Sequence, residues 1–122
     1  MVKGKILLVD DEVDLAETVK LRLTTNDYDV MLAYDGEQAL KKVEAYDPDL
    51  ILLDLKLPGI SGEEVFEKLK EKDSTKDIPI ILFTASKRDD ELVSIGAEDF
   101  VLKPFESQNL LDKIQRLLDK RS

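Results

Sequence analysis

The chain has 122 residues, of which 18 are basic and 27 acidic, so its net charge is −9. This length predicts a single domain, residues 1–122, that can bury a core without covalent cross-links. The sequence contains no cysteine and no histidine, which excludes disulfides, thiolate metal sites and histidine-dependent catalysis.

The acidic balance also limits the partners and the compartment. A phosphate backbone favours clustered Lys and Arg, so direct nucleic-acid binding is disfavoured. No apolar stretch approaches the ~20 residues of a membrane span, and "MVKGKILLVDDE" at the N-terminus reaches charged residues too early for a signal peptide. We therefore expect a soluble cytoplasmic protein without membrane insertion, in which any metal is a hard cation held by oxygen atoms.

Five short apolar runs alternate along the chain with segments of helical period. In order, the runs are "KILLVD" (5–10), "DVMLAY" (29–34), "LILLDL" (50–55), "IPIILFT" (78–84) and "DFVLK" (99–103). The helical period is clearest over residues 110–118 and weakest in the fourth segment, around "DDELVSIG". Asp35 and Ser61, the latter with Glu64 three positions on, are predicted N-caps.

Strands that alternate with helices predict a parallel sheet covered on both faces. Right-handed crossovers then give a doubly wound α/β sandwich. In such sheets, ligands bind beyond the carboxyl ends of the strands.

Polar side chains follow four of the five predicted strands at that edge. Asp10 and Asp11 follow the first, Asp54 the third, Thr84 closes the fourth and Lys103 follows the fifth. Clustered carboxylates repel one another, and Mg²⁺ removes that penalty while it binds phosphates. Carboxylates, magnesium, an amine and a hydroxyl in one cleft indicate a phosphoryl-transfer site with a carboxylate nucleophile.

Each of these residues also has a structural interpretation when it is taken alone. Asp10 and Asp11 are typical of a helix N-terminus, Asp54 of a turn at a strand end, and Lys103 of a salt bridge. Their common placement at strand ends favours the functional interpretation.

The motifs "ILLVDDE", "PDLILLDLKLPGISG", "IILFTA" and "GAEDFVLKPF" resemble, in this order, those of the receiver domain of bacterial two-component response regulators, including the single-domain chemotaxis regulator. The resemblance covers essentially the whole chain. It implies a (βα)5 fold, that is, a flavodoxin-like three-layer sandwich whose five-stranded parallel sheet has the strand order 2-1-3-4-5.

The resemblance also implies roles for the polar residues. Asp54 would be the phosphoacceptor for a phosphohistidine. Asp11 and Asp54 would ligate Mg²⁺ directly with the main-chain carbonyl of Lys56, and Asp10 would act mainly through a metal-bound water. Lys103 would pair with Asp54 at rest and with the phosphoryl oxygens afterwards.

The same resemblance implies a switch. Thr84 and the N–H of Ala85 would bind the phosphoryl group, which adds about one negative charge, and Phe100 would be the aromatic side chain that turns into the space Thr84 vacates. The expected partners are a histidine kinase or phosphotransfer protein and a downstream protein target. The chain would catalyse only its own Mg²⁺-dependent phosphorylation and dephosphorylation. The segment "SKRDDELVSIG" is short for the family, so the fourth predicted helix is expected to be shortened.

Three other functions are alternatives to this one. A flavodoxin-like cofactor binder needs a Ser/Thr/Gly-rich loop after the first strand, where this chain has "DDEVD". An aspartyl phosphatase or mutase has a second acid two residues after the nucleophile, where this chain has Lys56. A receiver-like interaction scaffold without phosphotransfer is the remaining alternative, and the acid pair together with Asp54 and Lys103 argues against it.

The chain is either a stand-alone regulator, a phosphorelay shuttle or part of a longer protein.

Overall fold

The computed structural model describes residues 2–85, 95–103 and 106–121. The strands are β1 (Gly4–Val9), β2 (Tyr28–Ala33), β3 (Leu50–Leu53), β4 (Ile80–Thr84) and β5 (Asp99–Leu102). The helices are α1 (Val13–Thr25), α2 (Gly36–Tyr46), α3 (Gly62–Glu71) and the C-terminal helix α4 (Ser107–Arg121).

The strands form one parallel sheet in the order β2-β1-β3-β4-β5. The predicted doubly wound α/β fold and its strand order are confirmed. In the segment "SKRDDELVSIG", where a helix is predicted, residues 86–94 lie outside the described residues. Within the described residues, no helix has both the length and the apolar character needed to cross a membrane.

The sheet separates two apolar layers, because successive side chains of a strand point to opposite faces. Ile6 and Leu8 of β1 belong to the layer covered by α1 and α4, whereas Leu7 and Val9 belong to the layer covered by α2 and α3. All four side chains are at most 1% exposed. Uninterrupted apolar strand sequences are what a sheet buried on both faces requires, and each such side chain stabilises the fold by about 1.5–3 kcal/mol.

The helices contact the sheet through the apolar stripes that their sequences predict. α1 buries Ala16, Val19 and Leu23, at spacings of three and four residues. Two predicted N-caps are confirmed. Asp35 Oδ1 accepts a hydrogen bond from Gln38 N at 2.8 Å, and Ser61 Oγ accepts one from Glu64 N at 3.1 Å.

Candidate functional site

Two aspartates lie side by side where neighbouring strands end. Val9 of β1 is in register with Leu53 of β3, so Asp10 and Asp54 are the next residues on adjacent strands. Asp54 N donates to Val9 O at 3.0 Å, which continues the ladder by one residue. Both residues are buried, with Asp10 0% and Asp54 3% exposed. The sheet therefore holds two carboxylates together away from water at its carboxyl edge.

Lys103 follows β5, the last strand in the sheet order, and reaches these carboxylates across the ends of the strands between them. Its backbone N–H donates to Thr84 O at 3.0 Å, just beyond β5. Its Nζ lies 2.9 Å from Asp10 Oδ2 and 3.0 Å from Asp54 Oδ2, and 4.8 Å from the centre of the Phe83 ring. Asp54 and Asp10, which precede Lys103 by 49 and 93 positions along the chain, thus share its ammonium group.

Turns in the backbone orient the other oxygen of each carboxylate. Asp10 Oδ1 accepts a hydrogen bond from Glu12 N at 2.9 Å, and Asp54 Oδ1 accepts one from Lys56 N at 3.0 Å. In both cases the donor is two residues further along the chain, as in an Asx turn. Each carboxylate is therefore fixed at both oxygens, one by a local turn and one by Lys103.

The same contacts shift the pKa values of the charged groups. Burial raises the pKa of Asp10, and the nearby charge of Asp54 adds to the rise, although hydrogen bonds from Glu12 N and Lys103 oppose it. Burial alone would lower the pKa of Lys103, but hydrogen bonds to Asp10, Asp54 and Glu12 outweigh it and raise that pKa above its ordinary value. Lys103 is therefore firmly protonated in a site that holds more negative than positive charge.

Among the described residues, the carboxylate oxygens of Asp10, Glu12 and Asp54 form a group in which all lie within 4.8 Å of one another. Hard oxygen donors with surplus negative charge fit Mg²⁺ rather than a softer metal. Asp11 was predicted as a direct ligand. It is exposed and lies outside the 4.8 Å group, in the lining of a surface cleft beside it. Lys56, whose carbonyl was predicted to be a ligand, lines the same cleft.

The acidic cleft, as we name it, has a volume of about 460 Å³. It is lined by Asp11, Glu12, Asp54, Lys56, Thr84, Ala85 and Lys103. Thr84 is 1% exposed at the end of β4, and Ala85 is exposed beside it. The structure thus gathers six of the predicted site residues around one opening, and Asp10 lies buried against it.

Phe100 lies apart from the cleft lining. It pairs with Leu82 in the β4–β5 ladder, is partly buried, and packs against the apolar layer under α2 and α3. Its predicted switching role stays a prediction. Pro104 and Ser86, which flank the site in the sequence, lie outside the described residues.

Glu12 is the contact that sequence reasoning missed. Its Oε1 lies 3.0 Å from Lys103 Nζ. The stretch "DDE" offers a signal, because Glu12 is the third acid of the run that follows the first strand. Its position just before α1 turns the side chain back over the strand ends, which the linear pattern does not reveal.

Gly62 allows α3 to approach the chain that follows β3 closely. A Cβ atom at this position would lie 2.3 Å from Asp54 O and 2.5 Å from Leu55 Cα, both backbone atoms that cannot rotate away. Gly62 N also donates to Leu55 O at 3.0 Å. The start of α3 therefore supports the loop that carries Lys56.

Comparisons with known proteins identify a family that this chain matches. Residues 6–115 match the family described as the response regulator receiver domain. Response regulator ArlR of Staphylococcus aureus is 40% identical over 120 residues, which cover 96% of this chain and 53% of ArlR. The chain therefore spans about half the length of the curated relatives it matches.

Solved structures show the same fold. A putative response regulator from Chloroflexus aurantiacus superimposes with a TM-score of 0.89 at 33% identity, covering 95% of this chain and 98% of that one. Chemotaxis response regulator CheY4 of Vibrio cholerae superimposes with a TM-score of 0.85 at 30% identity, covering 93% and 98%.

Proposed function

Because the chain belongs to the response regulator receiver domain family, we propose that it is a phosphorylation-activated signalling switch. In this proposal Asp54 accepts a phosphoryl group from a phosphohistidine, in a reaction that requires Mg²⁺. The change is read by a downstream protein. The chain is not otherwise an enzyme, because it catalyses only its own phosphorylation and dephosphorylation.

One observation carries the proposal, namely the ammonium of Lys103 between the buried carboxylates of Asp10 and Asp54. Two buried like charges destabilise a fold unless opposite charge compensates them, and here one ammonium serves two carboxylates. A lysine that bridges a carboxylate nucleophile to a second acid can follow the transferred group when it arrives. This arrangement supports phosphotransfer over a scaffold that only binds partners.

Each site residue has one role in the phosphoryl transfer to Asp54. A carboxylate oxygen of Asp54 forms a bond to phosphorus while the P–N bond of the donor breaks, and the donor imidazole leaves with that electron pair. Asp10, Asp11, Asp54 and the main-chain carbonyl of Lys56 would hold Mg²⁺, which when bound would neutralise charge on the transferring group. Lys103 donates to a phosphoryl oxygen.

The response to phosphorylation involves the strand beside the site. Thr84 and the N–H of Ala85 bind the remaining phosphoryl oxygens from the end of β4. Movement of Thr84 leaves space for the ring of Phe100, which lies on the neighbouring strand β5. A shift of this kind needs only a few kcal/mol of differential stability, and it changes the face that contains β5 and α4.

The partners follow from this role. A histidine kinase or a phosphotransfer protein donates the phosphoryl group, and a downstream protein binds the altered face. Because the curated relatives are about twice as long as the matched segment, an attached output domain is one form that this downstream partner takes.

The test is the intact mass of the protein after incubation with acetyl phosphate and Mg²⁺. The wild type and the control Asp112→Asn, an exposed acid on α4, should each gain one phosphoryl group, and Asp54→Asn should gain none. Labelling of all three proteins would move the nucleophile elsewhere. Labelling of none, with acetyl phosphate and with a phosphorylated histidine kinase, would favour the interaction scaffold.

A further inference from the structure

All the hydrogen-bond donors of the Lys103 ammonium are occupied in the resting protein. Nζ lies 2.9 Å from Asp10 Oδ2, 3.0 Å from Glu12 Oε1 and 3.0 Å from Asp54 Oδ2. An ammonium group has three donors. Lys103 can therefore bind a new phosphoryl oxygen only if it releases one of these carboxylates.

The three acceptors differ sharply in their access to water. The side chain of Asp10 is 0% exposed and that of Asp54 is 4% exposed, whereas that of Glu12 is 61% exposed. While the phosphodonor approaches, Asp54 is still a free carboxylate, and a buried carboxylate that loses its cation at this stage keeps an uncompensated charge in a poorly solvated place. Water can replace Lys103 at Glu12, so this contact is released at the lowest free-energy cost.

We propose that Glu12 is the exchangeable partner of Lys103, a positioning residue that holds the ammonium at rest and competes for it with the phosphoryl group. This inference rests on the proposed function. The turn that joins Glu12 N to Asp10 Oδ1 keeps the side chain at the mouth of the acidic cleft. There its negative charge also opposes the approach of an anionic phosphodonor. Glu12 therefore slows phosphorylation of Asp54.

Substitution of the exchangeable partner should speed labelling. With acetyl phosphate at saturating Mg²⁺, verified by a titration of each variant, Glu12→Gln should raise the initial rate of phosphorylation about two- to fivefold, the effect of one partly solvated charge contact. Asp14→Asn is the matched control, because it removes an exposed charge from the first turn of the same helix and should leave the rate unchanged. An unchanged or slower rate for Glu12→Gln would overturn the proposal.

A second measurement needs neither metal nor phosphodonor. In EDTA, Glu12→Gln should lower the melting temperature by about 1–4 °C in the wild-type background. In a Lys103→Met background the loss should be smaller, because only the favourable position of an acid at a helix start remains. Equal losses in the two backgrounds would show that Glu12 and Lys103 are not coupled, and would overturn the proposal.

The two proposals fail in different ways. If the wild type is labelled and Glu12→Gln behaves like Asp14→Asn, the role of Glu12 fails while the phosphoacceptor role of Asp54 stands. If the wild type takes no label from any donor, both fail together.

Discussion

Lysines bind carboxylates at both edges of the sheet, but the balance of charge differs between them. At the carboxyl edge, the carboxylates of Asp10, Glu12 and Asp54 share the single ammonium of Lys103. At the amino edge, where β5 begins, the cations outnumber the carboxylates instead. There Asp99 alone binds Lys113 at 2.9 Å and Arg116 at 2.7 Å.

The pKa shifts of two aspartates express this difference. Burial raises the pKa of Asp10 more than its partners lower it. Burial also acts to raise the pKa of Asp99, but Lys113, the N–H of Phe100 and Arg116 outweigh it, and the pKa falls below its ordinary value. At the amino edge the cations outnumber the one carboxylate and hold it charged, whereas the carboxyl edge keeps a surplus of buried negative charge, where the proposed Mg²⁺ would bind.

Removal of one paired lysine at each edge should give the largest difference in the free energy of unfolding. Lys103→Met leaves two buried carboxylates without their cation, and we expect the free energy of unfolding in EDTA to fall by about 3–5 kcal/mol. At the amino edge, Lys70 pairs with Glu98 at 3.1 Å, but the side chain of Lys70 is 25% exposed. Lys70→Met should therefore cost about 1 kcal/mol or less. Urea unfolding measures both values, and similar losses would contradict the contrast between the edges.

Addition of Mg²⁺ should stabilise the carboxyl edge alone. At a concentration one hundred times its dissociation constant, a ligand that binds only the folded state adds about 2.7 kcal/mol. This corresponds to a rise in melting temperature on the order of 10 °C. Asp54→Asn should lose most of the rise and the amino-edge control Glu98→Gln should keep it. The same rise in Asp54→Asn would place the metal elsewhere.

Glycine substitutions test how closely the backbone packs at each edge. Gly62→Ala forces a Cβ against the backbone of Asp54 and Leu55, and we expect a loss of about 1–3 kcal/mol together with slower labelling of Asp54. A Cβ at Gly4, at the amino edge, would meet the side chains of Leu118 at 3.2 Å and Asp49 at 3.4 Å, which can adjust. Gly4→Ala should cost less and leave the labelling rate unchanged. If both variants were labelled at the wild-type rate, Gly62 would have no role at the site.

The smallest expected effect concerns Asp99. Because its pKa is lowered in the folded state from an ordinary value of 3.8, its contribution to stability is present above that value and is lost as the pH falls through the lowered pKa. Asp99→Asn should therefore cost about 1 kcal/mol near neutral pH, and the difference from the wild type should shrink below pH 3.8. Urea unfolding at several pH values measures it, and a difference independent of pH would exclude the ion pairs as the cause.

The sequence predicts the sheet well because its signals are local and redundant. The run from Leu50 to Leu53 can only be a doubly buried strand if other elements cover both faces, and the helical stripes supply that cover. The convergence of Asp10, Asp54 and Lys103 follows from parallel strands that end at one edge, so these residues could be predicted without coordinates.

The finer contacts could not be predicted, because they depend on how loops turn after the strands end. Glu12 reaches Lys103 only because the chain turns back after Asp10. Gly62 matters because α3 starts within van der Waals distance of the Asp54 backbone. Neither turn has a periodic signal in the sequence.

The most direct test of the central claim is a crystal structure of the wild type with Mg²⁺ and beryllofluoride, which mimics a phosphoryl group on a carboxylate. We expect beryllofluoride on a carboxylate oxygen of Asp54, a metal ion among the neighbouring acids, and Lys103 Nζ turned from Glu12 to a fluorine atom. An unmodified Asp54 in crystals saturated with both reagents, with Lys103 still bound to its three carboxylates, would contradict the account.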